Sequence, residues 1–175
     1  IEGIHGIMPL GFTEGSVEAK ETLRLALFGK SVLLETLSQK ENKLGEVRGP
    51  LVGGNMTIIY SLMQTELSYS FENKILFIED IGEHIYKIDR MLYAFKMAGI
   101  FNQIKGLILG GFTDMEDTDV PFGKTIEELV LEQVHNLDIP VAFNMPIGHI
   151  HDNRSLVVGR TVSLRVTDTK TTLLI

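Results

Sequence analysis

Ile75-Leu-Phe-Ile78, followed by Glu79-Asp80-Ile81-Gly82-Glu83, is the stretch on which the fold turns. Four apolar residues bounded by polar ones predict a buried strand, and the acids follow where that strand leaves the core. In open α/β sheets the crevice beyond the carboxyl ends of the strands is the usual ligand site. Glu79 is therefore the first residue considered for chemistry.

Downstream, Ile85, Ile88, Leu92 and Phe95 recur at helical spacing up to Gly99, which predicts an amphipathic helix over residues 85–98. Residues 104–109 form the next apolar run, closed by Gly110-Gly111. Thr125-Ile-Glu-Glu128 has the form of a capping box and predicts a helix to about residue 137, and residues 139–143 make a third short strand. Strand, helix, strand, helix, strand with short links implies right-handed crossovers and a locally parallel sheet. At the far end Val162, Leu164 and Val166 alternate and residues 171–175 follow a polar turn, so the chain is expected to close with an antiparallel piece.

Upstream, residues 1–15 hold Gly3, Gly6, Pro9, Gly11 and Gly15 with little periodicity and read as an irregular lead-in segment passing over another part of the molecule. His5, followed by Gly6, is its one titratable oddity. Ser16 is placed to cap a helix to about residue 28, with Gly29 as the stop. Residues 32–34 and 47–52 read as short strands separated by the polar stretch 38–45, which predicts a hairpin. Gly53-Gly54-Asn55 then leads into a helical stripe of Ile58, Ile59, Leu62 and Met63, with Asn55 at the N-cap position. The glycine pair has two readings, a tight strand-to-helix turn or a close-approach loop whose N–H groups bind an anion such as a substrate carboxylate. It is too short for the dinucleotide or P-loop fingerprints.

Composition narrows the classes. A chain of 175 residues that is 44% hydrophobic suffices for one domain with a proper core. A net charge of -7 argues against nucleic acid or an anionic membrane as partner. Without cysteine there is no disulfide framework and no thiolate nucleophile or metal site. No apolar run reaches the ~18 residues of a spanning helix, and the chain begins at Ile1 rather than Met, which leaves room for an upstream segment.

Two clusters remain. Asp114, Glu116, Asp117 and Asp119 lack the ligand offsets and turn glycine of a hard-cation loop and read as a solvated acidic loop. Met145-Pro-Ile-Gly148-His149-Ile-His151-Asp152-Asn153 follows the third parallel strand, so His149 is expected on the side of the sheet where Glu79 emerges. A carboxylate that fixes an imidazole tautomer is the supporting half of a hydrolytic triad. A structural histidine, or a metal site from Glu79, His149 and His151, fits the same residue types. No serine lies in a G-x-S-x-G elbow, so a nucleophile must come from elsewhere or be absent.

Taken in order, Gly53-Gly54-Asn55, Ile75-Leu-Phe-Ile-Glu79-Asp-Ile-Gly-Glu83 with Ile88-Asp-Arg-Met-Leu92, Gly106-Leu-Ile-Leu-Gly110, and Pro146-Ile-Gly148-His149 with Asn153 resemble the carboxyl-terminal half of the serine LD-carboxypeptidase family. Its best-known members are murein tetrapeptide carboxypeptidases, and it includes the microcin C self-immunity peptidases. The resemblance implies a mixed α/β domain of swivelling β/β/α type, with a small mixed sheet and flanking helices. It implies a Ser-His-Glu triad split across two domains, with Glu79 as the acid and His149 as the general base. The serine would lie in an amino-terminal nucleophile domain outside this chain, residues 1–15 would lead in from that domain, and residues 16–175 would form the second domain. His5, Gly54 and Asn55 would face the substrate cleft. Neither cofactor nor metal is implied. The implied activity is release of terminal D-Ala from murein tetrapeptide in cytoplasmic peptidoglycan recycling, by a homodimer; this chain by itself would be inactive. A peptidase acting on a peptidyl nucleotide, a non-catalytic binding or assembly domain, and a metallohydrolase are the rival expectations.

Overall fold

The computed structural model describes all residues, 1–175. Its centre is a seven-stranded mixed sheet in the order β2-β9-β8-β3-β4-β5-β6. These strands are β2 (Leu33–Leu37), β3 (Gly45–Asn55), β4 (Ile75–Ile81), β5 (Gly106–Thr113), β6 (Val141–Ala142), β8 (Thr161–Val166) and β9 (Lys170–Leu174). The long β3 joins two regimes, pairing antiparallel with β8 through residues 45–50 and parallel with β4 through residues 51–55. From there β4, β5 and β6 continue in parallel, as the alternation of strands and helices predicts.

One face of the sheet is covered by α2 (Met56–Leu62), α3 (Ile85–Met97), α4 (Ile100–Gln103) and α5 (Ile126–Val134). Leu76 and Ile78 of β4 join that core together with Ile88, Leu92, Phe95, Leu129 and Val130. The opposite face is covered by α1 (Val17–Leu27), by the loop after β6, and by a two-stranded sheet of β1 (Gly3–His5) and β7 (Leu156–Val158). Ile75 and Phe77 belong to this second core. The central sheet thus lies between a helical layer and a second layer made of α1 and the small β1–β7 sheet.

Helix boundaries follow local chemistry. The Ser16 hydroxyl accepts from Ala19 N and opens α1, and Gly29 closes it at φ +64°. Thr125 and Glu128 form the expected capping box. Strand partners depart from expectation. β2 does not form a hairpin with β3; it pairs with β9, and both β9 and β8 lie between them. The lead-in segment is also more ordered than its glycines suggest, because Gly3–His5 pairs antiparallel with β7.

The glycine pair is neither a turn nor an anion loop. Gly53 and Gly54 continue β3 in extended form at φ +144° and +146°, paired with Phe77 and Ile78. A Cβ on Gly53 would lie 1.9 Å from the Phe77 carbonyl oxygen, so the close approach of β3 to β4 requires a bare backbone. Helix α2 begins at once, and its first N–H groups are taken by the chain itself: Ile58 N donates to Asn55 Oδ1 and Thr57 N to Asp80 Oδ2. No helix is long and apolar enough to cross a membrane.

Candidate active site

Alternation along β4 separates its two acids. Glu79 shares a face with Ile75 and Phe77, away from the helices, whereas Asp80 turns toward α2. Asp80 is fully engaged there, accepting from Asn55 Nδ2, Thr57 N, Thr57 Oγ1 and Ile81 N. Glu79 is only 1% exposed, yet its carboxylate meets two imidazoles.

His149 comes from the loop after β6. Its Nδ1 lies 2.6 Å from Glu79 Oε2, and its backbone N donates to the same oxygen at 3.2 Å. His5 approaches from β1, with Nε2 at 3.7 Å from Glu79 Oε1. Burial on its own would push the Glu79 carboxyl up. The imidazoles of His5 and His149 outweigh it and hold the group below the usual carboxylate range. His149 is 49% exposed, and with Nδ1 engaged its Nε2 is the nitrogen left without a partner.

The loop is held by contacts that periodicity does not reveal. Gly148 N donates to Asn153 Oδ1 at 2.9 Å, Thr113 Oγ1 donates to His149 O at 2.9 Å, and Gly111 N donates to Ile147 O. Asn153 appears in the sequence motif without an evident role, and nothing in the sequence points to Thr113. Asp152 serves the scaffold, pairing with Arg154 and accepting from Ser16 Oγ, so it ties the histidine loop to the start of α1.

His5 and His149 line one cleft of about 970 Å³, together with His151, Glu14 and Asn153 and the apolar Ile4, Met8, Leu10 and Ile150. Gly54 and Asn55 do not line it. Asn55 is in register with Glu79 on the neighbouring strand, but its amide is spent on Asp80 and on capping α2. His151 reaches the cleft without joining Glu79 and His149 in a metal-holding group. No serine hydroxyl of the chain hydrogen-bonds to His149; Ser16 is bound to Asp152, and Ser155 Oγ is buried without a partner. The acidic loop is largely exposed, with Glu116 at 3.4 Å from His84 Nε2.

A buried acid gripping the Nδ1 side of a half-exposed histidine suits a general base held in one tautomer. Residues 48–164 match the family model for the LD-carboxypeptidase C-terminal domain. The chain belongs to the LD-carboxypeptidase family. Among its relatives, the murein tetrapeptide carboxypeptidase of Pseudomonas aeruginosa is 29% identical over 119 residues, covering 67% of this chain and 38% of that protein. A Synechocystis protein with a provisional carboxypeptidase name is 35% identical over 164 residues, covering 94% of this chain and 54% of its own length. In structure, the muramoyltetrapeptide carboxypeptidase of Oxalobacter formigenes matches with a TM-score of 0.88 at 29% identity, over 99% of this chain and 61% of that one. The microcin C7 self immunity protein matches with a TM-score of 0.81 at 19% identity, over 99% of this chain and 60% of that one, which speaks to the fold alone. This chain thus spans about half, or less, of the length of these two sequence relatives.

Proposed function

We propose that this chain is the glutamate- and histidine-bearing domain of a serine LD-carboxypeptidase that releases terminal D-Ala from murein tetrapeptide in cytoplasmic peptidoglycan recycling. The 2.6 Å contact of Glu79 Oε2 with His149 Nδ1, at the edge of an open cleft, carries this reading. The names of the relatives supply the substrate class. Residues 1–15 then lead in from a nucleophile domain and residues 16–175 form the domain that completes the site.

The proposed chemistry uses the Glu79–His149 pair together with a serine from the nucleophile domain. Glu79 keeps the His149 proton on Nδ1, so Nε2 takes the proton of the serine hydroxyl supplied by the nucleophile domain. The serine oxygen attacks the carbonyl carbon of the amide that joins an L-centre to D-Ala. The C–N bond breaks as His149 returns the proton to the leaving amine. Water, deprotonated by the same Nε2, then hydrolyses the ester and frees serine. Glu79 stabilises the imidazolium at each stage. Gly54 and Asn55 act from behind the site by seating β3 against the strand that bears Glu79. On this reading the isolated chain is inactive, and the apolar groove between α2 and α3, lined by Tyr60, Met63 and Met97, supports a homodimer.

The test uses the full-length protein with a D-Ala-terminated murein tetrapeptide, and a peptidyl nucleotide as the competing substrate. Glu79→Ala and His149→Ala are each expected to lower kcat by about 10³-fold or more. Near-normal kcat in either variant overturns the assignment, and preference for the peptidyl nucleotide overturns the substrate.

A further inference from the structure

Glu79 binds His149 through one oxygen only. Oε2 accepts both from the ring and from the backbone of His149, whereas no group of the chain is within hydrogen-bond distance of Oε1. A donor facing this second oxygen would steady the carboxylate in the orientation that serves His149. The polar group facing Oε1 is the imidazole of His5, with Nε2 at 3.7 Å.

Three features seat His5 there. β1 is locked to β7 with His5 opposite Leu156. Gly6 lets the backbone press against Ser155, since a Cβ on Gly6 would lie 2.3 Å from Ser155 Oγ. The ring stands edge-on to Phe77, with centroids 5.1 Å apart and planes at 70°, and Phe77 lies two residues before Glu79 on the same face of β4. His5 thus lies alongside the Phe77–Glu79 face of that strand.

The tautomer is assigned from the only acceptor that faces the ring. His5 Nδ1 is buried without a partner in either protonation state, whereas a proton on Nε2 faces the carboxylate oxygen Oε1. The proton is therefore assigned to Nε2. At 3.7 Å the contact is a charge–dipole one, and active-site hydrogen bonds that are long in the free protein tighten when substrate is bound.

We propose that His5 is a positioning residue: its Nε2–H holds Glu79 Oε1, and so keeps Oε2 aimed at His149 Nδ1. The proposal rests on the assignment of Glu79 and His149 as the catalytic pair. It gives His5 a role behind the reacting atoms in place of contact with substrate.

His5→Gln, His5→Asn and His5→Phe in the full-length protein test it. A glutamine amide reproduces Nε2, an asparagine amide reproduces Nδ1, and phenylalanine keeps the packing on Phe77 without a donor. Phe and Asn at this position are expected to lower kcat about tenfold with little change in KM, while Gln restores most of it. The downfield proton resonance of His149 Nδ1–H should move in the Phe and Asn variants and return in the Gln variant. A Phe variant with normal kcat and an unmoved resonance overturns the proposal, as does a change confined to KM. The resonance is read without turnover, so loss of the catalytic assignment, seen as an active Glu79→Ala protein, is distinguishable from loss of this one.

Discussion

Gly148 lies so close to Glu79 that a Cβ built on it would stand 2.7 Å from the Cβ, Cγ and Oε2 of the acid. Its φ of +95° is also unfavourable for any residue with a side chain. Gly110 makes room nearby, since a Cβ there would lie 2.5 Å from Ile147 O and 3.1 Å from Glu79 Cβ. The carboxylate occupies a slot that two glycines leave open. Under the proposed function, Gly148→Ala is expected to displace Glu79 and lower kcat on the order of 10²-fold, the scale for a catalytic group misplaced by about an ångström. Steady-state kinetics on the full-length protein would show it, and an unchanged kcat would remove the slot from the mechanism.

Acid should weaken the domain through Glu79. Its carboxyl is held below the unfolded value of 4.5, because burial, which opposes ionisation, is outweighed by His5 and His149. A depressed carboxyl contributes stability that is fully present above its unfolded value and is lost as pH falls through the lower, folded one. The stability gap between wild type and Glu79→Gln should therefore shrink as pH falls below 4.5, measured by urea denaturation. A gap that stays constant over that range would contradict the shift.

Two polar groups set against the helical core have no hydrogen-bond partner in the chain. Gln133 on α5 is 2% exposed and neither amide atom has a partner; the Tyr69 hydroxyl is likewise unpartnered, and burial pushes it up to about 12. A buried polar group without a partner costs about 1–3 kcal/mol. Gln133→Leu and Tyr69→Phe should each raise stability by about 1 kcal/mol, read as a higher urea midpoint at unchanged slope. A lower midpoint would mean that these groups do have partners.

Lys43 closes the end of α5. Its Nζ donates to Val134 O at 2.8 Å and His135 O at 3.2 Å, and also to Leu137 O, which places a positive charge on the carbonyls that a helix leaves unpaired. Lys43→Met should cost about 1–2 kcal/mol and speed hydrogen exchange in the last turn of α5. Exchange spread evenly over the domain would argue against a local cap.

Much of the candidate site was legible before any coordinates. The apolar run before Glu79 and the link from β6 to His149 place both residues at the carboxyl ends of strands, and the parallel direction implied by the strand–helix–strand alternation puts those ends on one edge. Choosing Glu79 over Asp80 came from the family resemblance. In the structure, alternation sends Asp80 to α2 and Glu79 to the opposite face, beside His149.

Local chemistry in the sequence was enough to place α1, α3, α5 and the strand runs of the central sheet, but not β1, β7 or the short α4. Ser16, Gly29 and the Thr125–Glu128 box act within a few residues, so their effect is written in neighbouring letters. Strand partners are a different matter. Alternation says that β2 has a buried face but does not name its neighbour, and β9, about 135 positions away, wins over the adjacent β3. The same holds for His5 on β1, for Gly53 against the Phe77 carbonyl, and for Gly148 against Glu79. Each is a close approach between segments far apart in the chain, and only the packed tertiary structure decides which atoms share that space.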